Sequence, residues 1–116
     1  MNASADDLLE PGQGYAVIYT EYVRTMLLQE VESKRVYESI DRYRDILQLF
    51  PEIGQEYEPQ YPAAKPPFPC RFIPVHNTPF TLYYIVEEAG RIIVVFYLEH
   101  QRSNPRTRFS GILGSN

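Results

Sequence analysis

The chain has 116 residues, 44% of them hydrophobic, and a formal net charge of −4; that length supports one core and not two. Its single cysteine, Cys70, excludes an internal disulfide, and no Cys/His set has metal-ligand spacing, so neither a metal nor a cofactor is expected. The longest apolar run, Ile92 to Leu98, falls far short of the ~20 residues of a membrane-spanning helix, and the start of the chain, with Asp6, Asp7 and Glu10, lacks the basic and apolar character of an export signal, so a cytoplasmic protein with no membrane partner is expected.

In chain order, residues 1–14 read as a flexible tail that closes on the breaker Pro11-Gly12-Gln13-Gly14. Tyr15 to Thr20 is rich in aromatic and β-branched residues and predicts a first strand. Thr20 is placed to cap a helix from Glu21 to about Glu32, whose apolar set of Val23, Met26, Leu27 and Val31 is interrupted by Glu30. Ser33 is placed to cap a second helix. Val36, Ile40, Tyr43, Leu47 and Phe50 recur there at spacings of four and three, while Glu38, Asp41, Arg42 and Asp45 fall largely away from them. Pro51 and Gly54 end it, so the two helices form a hairpin.

Pro59 to Pro69 reads as an extended connector, because its prolines exclude a helix or a central strand. Three strands follow, over Cys70 to Val75, Phe80 to Glu87 and Arg91 to Glu99, the last two joined by a turn at Glu88-Ala89-Gly90. Pro74 has no N–H to donate, which predicts an edge or a bulge in the first of these. The last, apolar at both parities, is expected at the centre of the sheet. His76 falls in the turn before Pro79.

The acidic total conceals a division. Up to Pro69 there are six Lys/Arg against twelve Asp/Glu, and from Cys70 onward five Arg against three Glu. A contact with phosphate or with an acidic partner is therefore sought in the C-terminal part.

Several strings, in this order, resemble the RelE/ParE toxin superfamily, which includes plasmid-stabilisation toxins. They are Y-A-V-I-Y-T-E-Y-V from Tyr15, L-Q-L-F-P-E-I-G at Leu47 to Gly54, F-T-L-Y-Y-I-V-E-E at Phe80 to Glu88, and R-I-I-V-V-F-Y-L-E-H-Q-R at Arg91 to Arg102. The resemblance implies an α+β fold with a single βααβββ domain over residues 15–109, its helical hairpin packed on an antiparallel sheet, followed by a tail at residues 110–116. It also implies a cognate antitoxin that wraps and silences the toxin. Two activities occur in the superfamily, cleavage of messenger RNA on the ribosome by RelE-like members and inhibition of DNA gyrase by ParE-like members, and fold alone does not choose between them.

Metal-free RNA cleavage needs a base for the 2′-hydroxyl, fixed positive charge for the phosphate and an acid for the leaving oxygen. Arg71, His100 and Arg102 are the candidates for catalysis, Arg102 because the resemblance aligns it with an arginine just beyond the last strand of RelE-like nucleases. Alternation along the strands places Arg71, Thr81, Tyr83, Tyr97 and Glu99 on one face if the strands share a register. Tyr83, Tyr97, Arg106, Arg108 and Phe109 are the candidate contacts with a target or an antitoxin. Two departures weaken the nuclease reading: the segment Phe80-Thr81-Leu82 has threonine where those nucleases carry arginine, and Arg108-Phe109 stands where some carry tyrosine. Threonine cannot grip phosphate as arginine does, and a phenyl ring cannot exchange a proton. The leading expectation is therefore a ParE-like toxin that acts by binding a target such as DNA gyrase. A RelE-like endoribonuclease working on the ribosome with messenger RNA comes second, and an inactive antitoxin-binding module third.

Overall fold

A computed structural model describes residues 14–59, 66 and 68–109. The tails expected at residues 1–14 and 110–116 lie outside the described residues except for Gly14, as does most of the proline-rich connector.

Strand β1 (Ala16–Tyr19) leads into helix α1 (Glu21–Gln29) and helix α2 (Lys34–Leu49). The chain then forms β2 (Gln55–Glu56), β3 (Arg71–Pro74), β4 (Phe80–Glu87), β5 (Ile92–His100) and a single 3₁₀ turn at Pro105–Thr107. Both helices begin where a hydroxyl accepts an otherwise unpaired amide: Thr20 Oγ1 from the Val23 N–H and Ser33 Oγ from the Val36 N–H, each at 3.3 Å. α1 stops at Gln29, so Glu30 is its cap and stands outside the apolar stripe it seemed to interrupt. α2 stops at Leu49 because Pro51 disfavours helical geometry at Phe50, whose φ of −131° and ψ of 73° carry it out of the helix.

The sheet has the order β1-β5-β4-β3-β2. The α+β class and the helices on one sheet are as expected, but the sheet is mixed and not antiparallel: β1 pairs with β5 in parallel. The helices carry the chain across the sheet to its far side, leaving β1 to cover the open side of β5. A two-residue strand, β2, is added beyond β3, opposite Arg71 and Phe72 only. Pro74 therefore keeps an unpaired side, as its missing donor requires. β5 is central, with β1 on one side and β4 on the other.

One layer of core lies between helices and sheet. Val23, Leu27, Val36, Ile40 and Leu47 meet Leu82, Tyr84, Ile93, Val95 and Leu98 there; burying each aliphatic chain contributes about 1.5–3 kcal/mol. A second layer covers the opposite sheet face, where Cys70, Tyr83, Phe96, Tyr97 and Phe109 are buried together. A bulge connects the two layers. Tyr83 pairs with Tyr97, but the next residue of β4, Tyr84, pairs with Val95, so Phe96 is extra. The inserted residue interrupts alternation along β5: Ile93 and Val95 face the helices, whereas Phe96 and Tyr97 both join the outer layer.

Candidate functional site

The outer sheet face positions most of the polar groups singled out in the sequence. Beyond the bulge, the register pairs Thr81 with Glu99 and Tyr83 with Tyr97, so these four share that face. Glu99 is buried, and its carboxylate is satisfied from two directions. The Tyr83 hydroxyl donates to Oε1 at 3.1 Å, and Arg108 Nε donates to Oε2 in an ion pair. Arg108 also donates from Nη1 to the Tyr57 hydroxyl at 3.0 Å, and its guanidinium lies 5.7 Å from the Tyr57 ring centre and 5.8 Å from that of Tyr83.

The turn that brings Arg108 back over the sheet begins at Asn104, whose side chain accepts the Arg106 N–H at 2.9 Å, and continues through Pro105. Phe109 follows with φ 69°, a left-handed conformation that a bulky residue adopts only when its surroundings enforce it. Here its ring is wedged among Tyr57, Tyr83, Phe96 and Tyr97, at centre distances of 5.0–5.8 Å. Tyr97 stacks on Tyr22 from α1 at 5.5 Å. Burial pushes the Tyr97 hydroxyl up to about 12, with the neighbouring Tyr22 adding to the effect. Burial, then the negative charge of Glu99, holds the Tyr83 hydroxyl far above its ordinary range. Burial alone pulls the Arg108 pKa down, but the hydrogen bonds to Glu99 and Tyr57 reverse this and the net shift is upward.

The face that would have to open onto a substrate is thus closed by the chain itself. Tyr83, Tyr97, Arg108 and Phe109, expected as exposed contacts with a target or antitoxin, are instead internal partners of one another. Of that set, Arg106 alone is fully exposed.

Arg71 is elsewhere. It pairs with Tyr84, on the helix side of the sheet, so the expected common face with Tyr83 and Tyr97 does not form. Its Nη1 donates to the Gly54 carbonyl at 2.8 Å and its Nη2 lies 3.6 Å from Glu56 Oε1, which fastens the segment after α2. His100 pairs with Phe80, also on the helix side, and its ring meets that of Phe80 edge-on at 5.1 Å. The partners of Arg71 and His100 are four residues apart on β4, roughly 13 Å. His100 Nδ1 accepts the Arg102 N–H at 3.0 Å, and the Arg102 side chain is exposed. The three catalytic candidates are therefore not gathered: Arg102 and His100 adjoin at the rim, and Arg71 is a structural clamp. Sequence reasoning missed Tyr57 and Tyr22, which reach the outer face from distant segments that carry no local signal of it.

Among the described residues no group of three or more His, Cys, Asp or Glu side chains is arranged to hold a metal ion, and no helix is long and apolar enough to cross a membrane.

No family model matches the chain, and no curated protein matches it in sequence. Among solved structures, a double arginine-to-alanine mutant of Escherichia coli toxin RelE in the free state superposes with a TM-score of 0.60, covering 86% of this chain and 95% of the other. The chain has the RelE fold. At 13% identity that likeness concerns the architecture, the helical pair on a five-stranded sheet, and leaves the outer face to be judged on this chain's own residues.

Proposed function

We propose that this chain is the toxin of a toxin-antitoxin module, acting in the cytoplasm by binding its target in the ParE manner, with DNA gyrase the leading candidate, and neutralised by a cognate antitoxin. The RelE fold supports the toxin reading. The observation that carries the binding mechanism is the closed outer face: Arg108 is engaged by Glu99 and Tyr57, and Phe109 fills the space above Tyr83 and Tyr97. A phosphodiester in transit to a pentavalent state needs unengaged cations and an accessible proton acceptor close together, whereas Arg71 is committed to Gly54 and stands apart from His100.

One pairing favours a second reading, a RelE-like endoribonuclease acting on messenger RNA at the ribosome. His100 Nδ1 accepts the Arg102 backbone N–H at the end of β5, and an imidazole with an exposed arginine two residues along supplies the group types of an acid and a phosphate clamp. Induced expression in a bacterial host without antitoxin separates the two. Growth arrest with gyrase-linked DNA breaks and intact messenger RNA is the expected result. Arrest with cleaved messenger RNA overturns it in favour of the nuclease, and undisturbed growth reduces the chain to an inactive antitoxin-binding module.

A further inference from the structure

At the end of the molecule opposite Arg102, the chain leaves α2 through a set of apolar side chains that the core does not absorb. Phe50 is 60% exposed, Ile53 49% and Leu49 37%. With Tyr15 and the carboxylates of Glu52 and Glu88 they line an open cleft of about 700 Å³. A contiguous apolar patch with a polar rim marks an interaction site more often than scattered exposed leucines do. β5 begins beside this cleft and ends at His100, so the two regions are separated by the length of that strand, roughly 25 Å.

The two charged residues that line the cleft are both acidic. Glu52 and Glu88 line it, Glu87 adjoins in the same hairpin end, and the nearby cation, Arg91, is drawn over the Tyr15 ring at 5.6 Å. Tyr15 donates its hydroxyl to Glu88 Oε2 at 2.7 Å, which fixes that carboxylate at the rim. A second contribution comes from the helix. The 16-residue α2 ends here with no basic residue in its last turn, so the negative end of its dipole is not compensated by its own side chains.

We propose that this cleft docks a protein segment that combines leucine-like or aromatic side chains with lysine or arginine, the apolar groups entering between Tyr15, Phe50 and Ile53 and the cations meeting Glu52, Glu88 and the α2 terminus. The surface is independent of the outer face and of the toxin reading; it would stand if the growth experiment failed. The charge selects the partner class, because an acidic or neutral apolar segment would leave the rim carboxylates facing like charge or nothing.

The test uses the full chain and two labelled, helix-forming peptides of the same pattern, one of Leu and Lys and the other of Leu and Glu. The Leu/Lys peptide is expected to bind saturably and to shift the amide signals of residues 49–53 and 88 in the NMR spectrum. Phe50→Ala, or Glu52→Gln with Glu88→Gln, is expected to weaken it about tenfold with an unchanged circular-dichroism spectrum, since these side chains are exposed. Equal binding of both peptides, no binding of either, or indifference to the substitutions overturns the proposal. So do contacts from Leu8 or Leu9 to the Phe50 ring in the peptide-free chain, which would give the cleft to the chain's own N-terminal segment, and a concentration-dependent mass abolished by Phe50→Ala, which would give it to a second copy.

Discussion

Glu99 and Arg108, nine residues apart on opposite sides of the last turn, form an ion pair beneath the aromatic cover of the outer sheet face. Each is the means by which the other tolerates burial. Removing one partner of such a pair costs about 3–5 kcal/mol, because the survivor is left charged and without compensation. Glu99→Ala and Arg108→Ala are each expected to lose about that much in urea denaturation. The double variant is expected to lose less than the two combined, by about 1–3 kcal/mol of coupling. Strictly additive losses would mean that the pair is not coupled in solution.

Alkali tests the same face by another route. Tyr97 is raised from 10.0 to about 12, and Tyr83 is also raised. A raised tyrosine pKa means that the folded state holds the neutral hydroxyl more firmly than the unfolded chain does. The resulting stability is complete below the unfolded value near ~10 and is lost as pH rises through the folded value. Unfolding free energy is therefore expected to fall between pH 10 and about 12, and Tyr97→Phe is expected to flatten that fall. A slope unchanged in the phenylalanine variant would place the titration elsewhere.

The turn after α2 makes a third case. Gly54 donates its N–H to the Tyr84 hydroxyl at 2.9 Å, and that hydroxyl donates to the Pro51 carbonyl at 2.8 Å. A Cβ on Gly54 would lie 2.7 Å from the Phe72 carbonyl oxygen, a backbone atom that cannot swing aside. Gly54→Ala is expected to destabilise by about 2 kcal/mol or more through displacement of this turn. Tyr84→Phe is expected to cost about 1–3 kcal/mol, as two backbone groups lose their partner. Thermal melts of the two variants check both values. A neutral Gly54→Ala would show that the turn can move off β3.

These cases also indicate where the sequence was legible. Thr20 and Ser33 marked their helices because a cap is a local event, and the spacing of Val36, Ile40 and Leu47 disclosed a face because the helical period is fixed. Along β5, alternation also put Tyr97 and Glu99 on one face, while the placing of Tyr83 beside them came from the pairing of β4 with β5. What failed was long in range. Phe96 is an extra residue whose insertion reverses parity along β5, and nothing in R-I-I-V-V-F-Y-L-E marks it. Arg71 was assigned to the wrong face since register is a property of two strands and not of one. Arg108 was read as a contact with a target or an antitoxin because an arginine nine residues beyond its carboxylate carries no sign of the ion pair it makes.

The arginines of the candidate site give the last prediction. Arg102 and Arg106 extend into solvent, while Arg71 and Arg108 serve the fold. If the chain arrests growth by contact with a target, Arg102→Ala and Arg106→Ala are expected to weaken the arrest without changing thermal stability by more than about 0.5 kcal/mol, as substitutions at exposed positions usually do. Arg71→Ala is expected to act in the reverse order, lowering stability by about 1–3 kcal/mol through loss of a charged hydrogen bond to Gly54, and to spare toxicity at temperatures where the fold survives. Growth curves and melting temperatures measured on the same four variants, with Arg108→Ala as the destabilised reference, separate the roles. Loss of toxicity in a fully folded Arg71→Ala would return that residue to the site, and with it the nuclease reading in which Arg71 was a catalytic candidate.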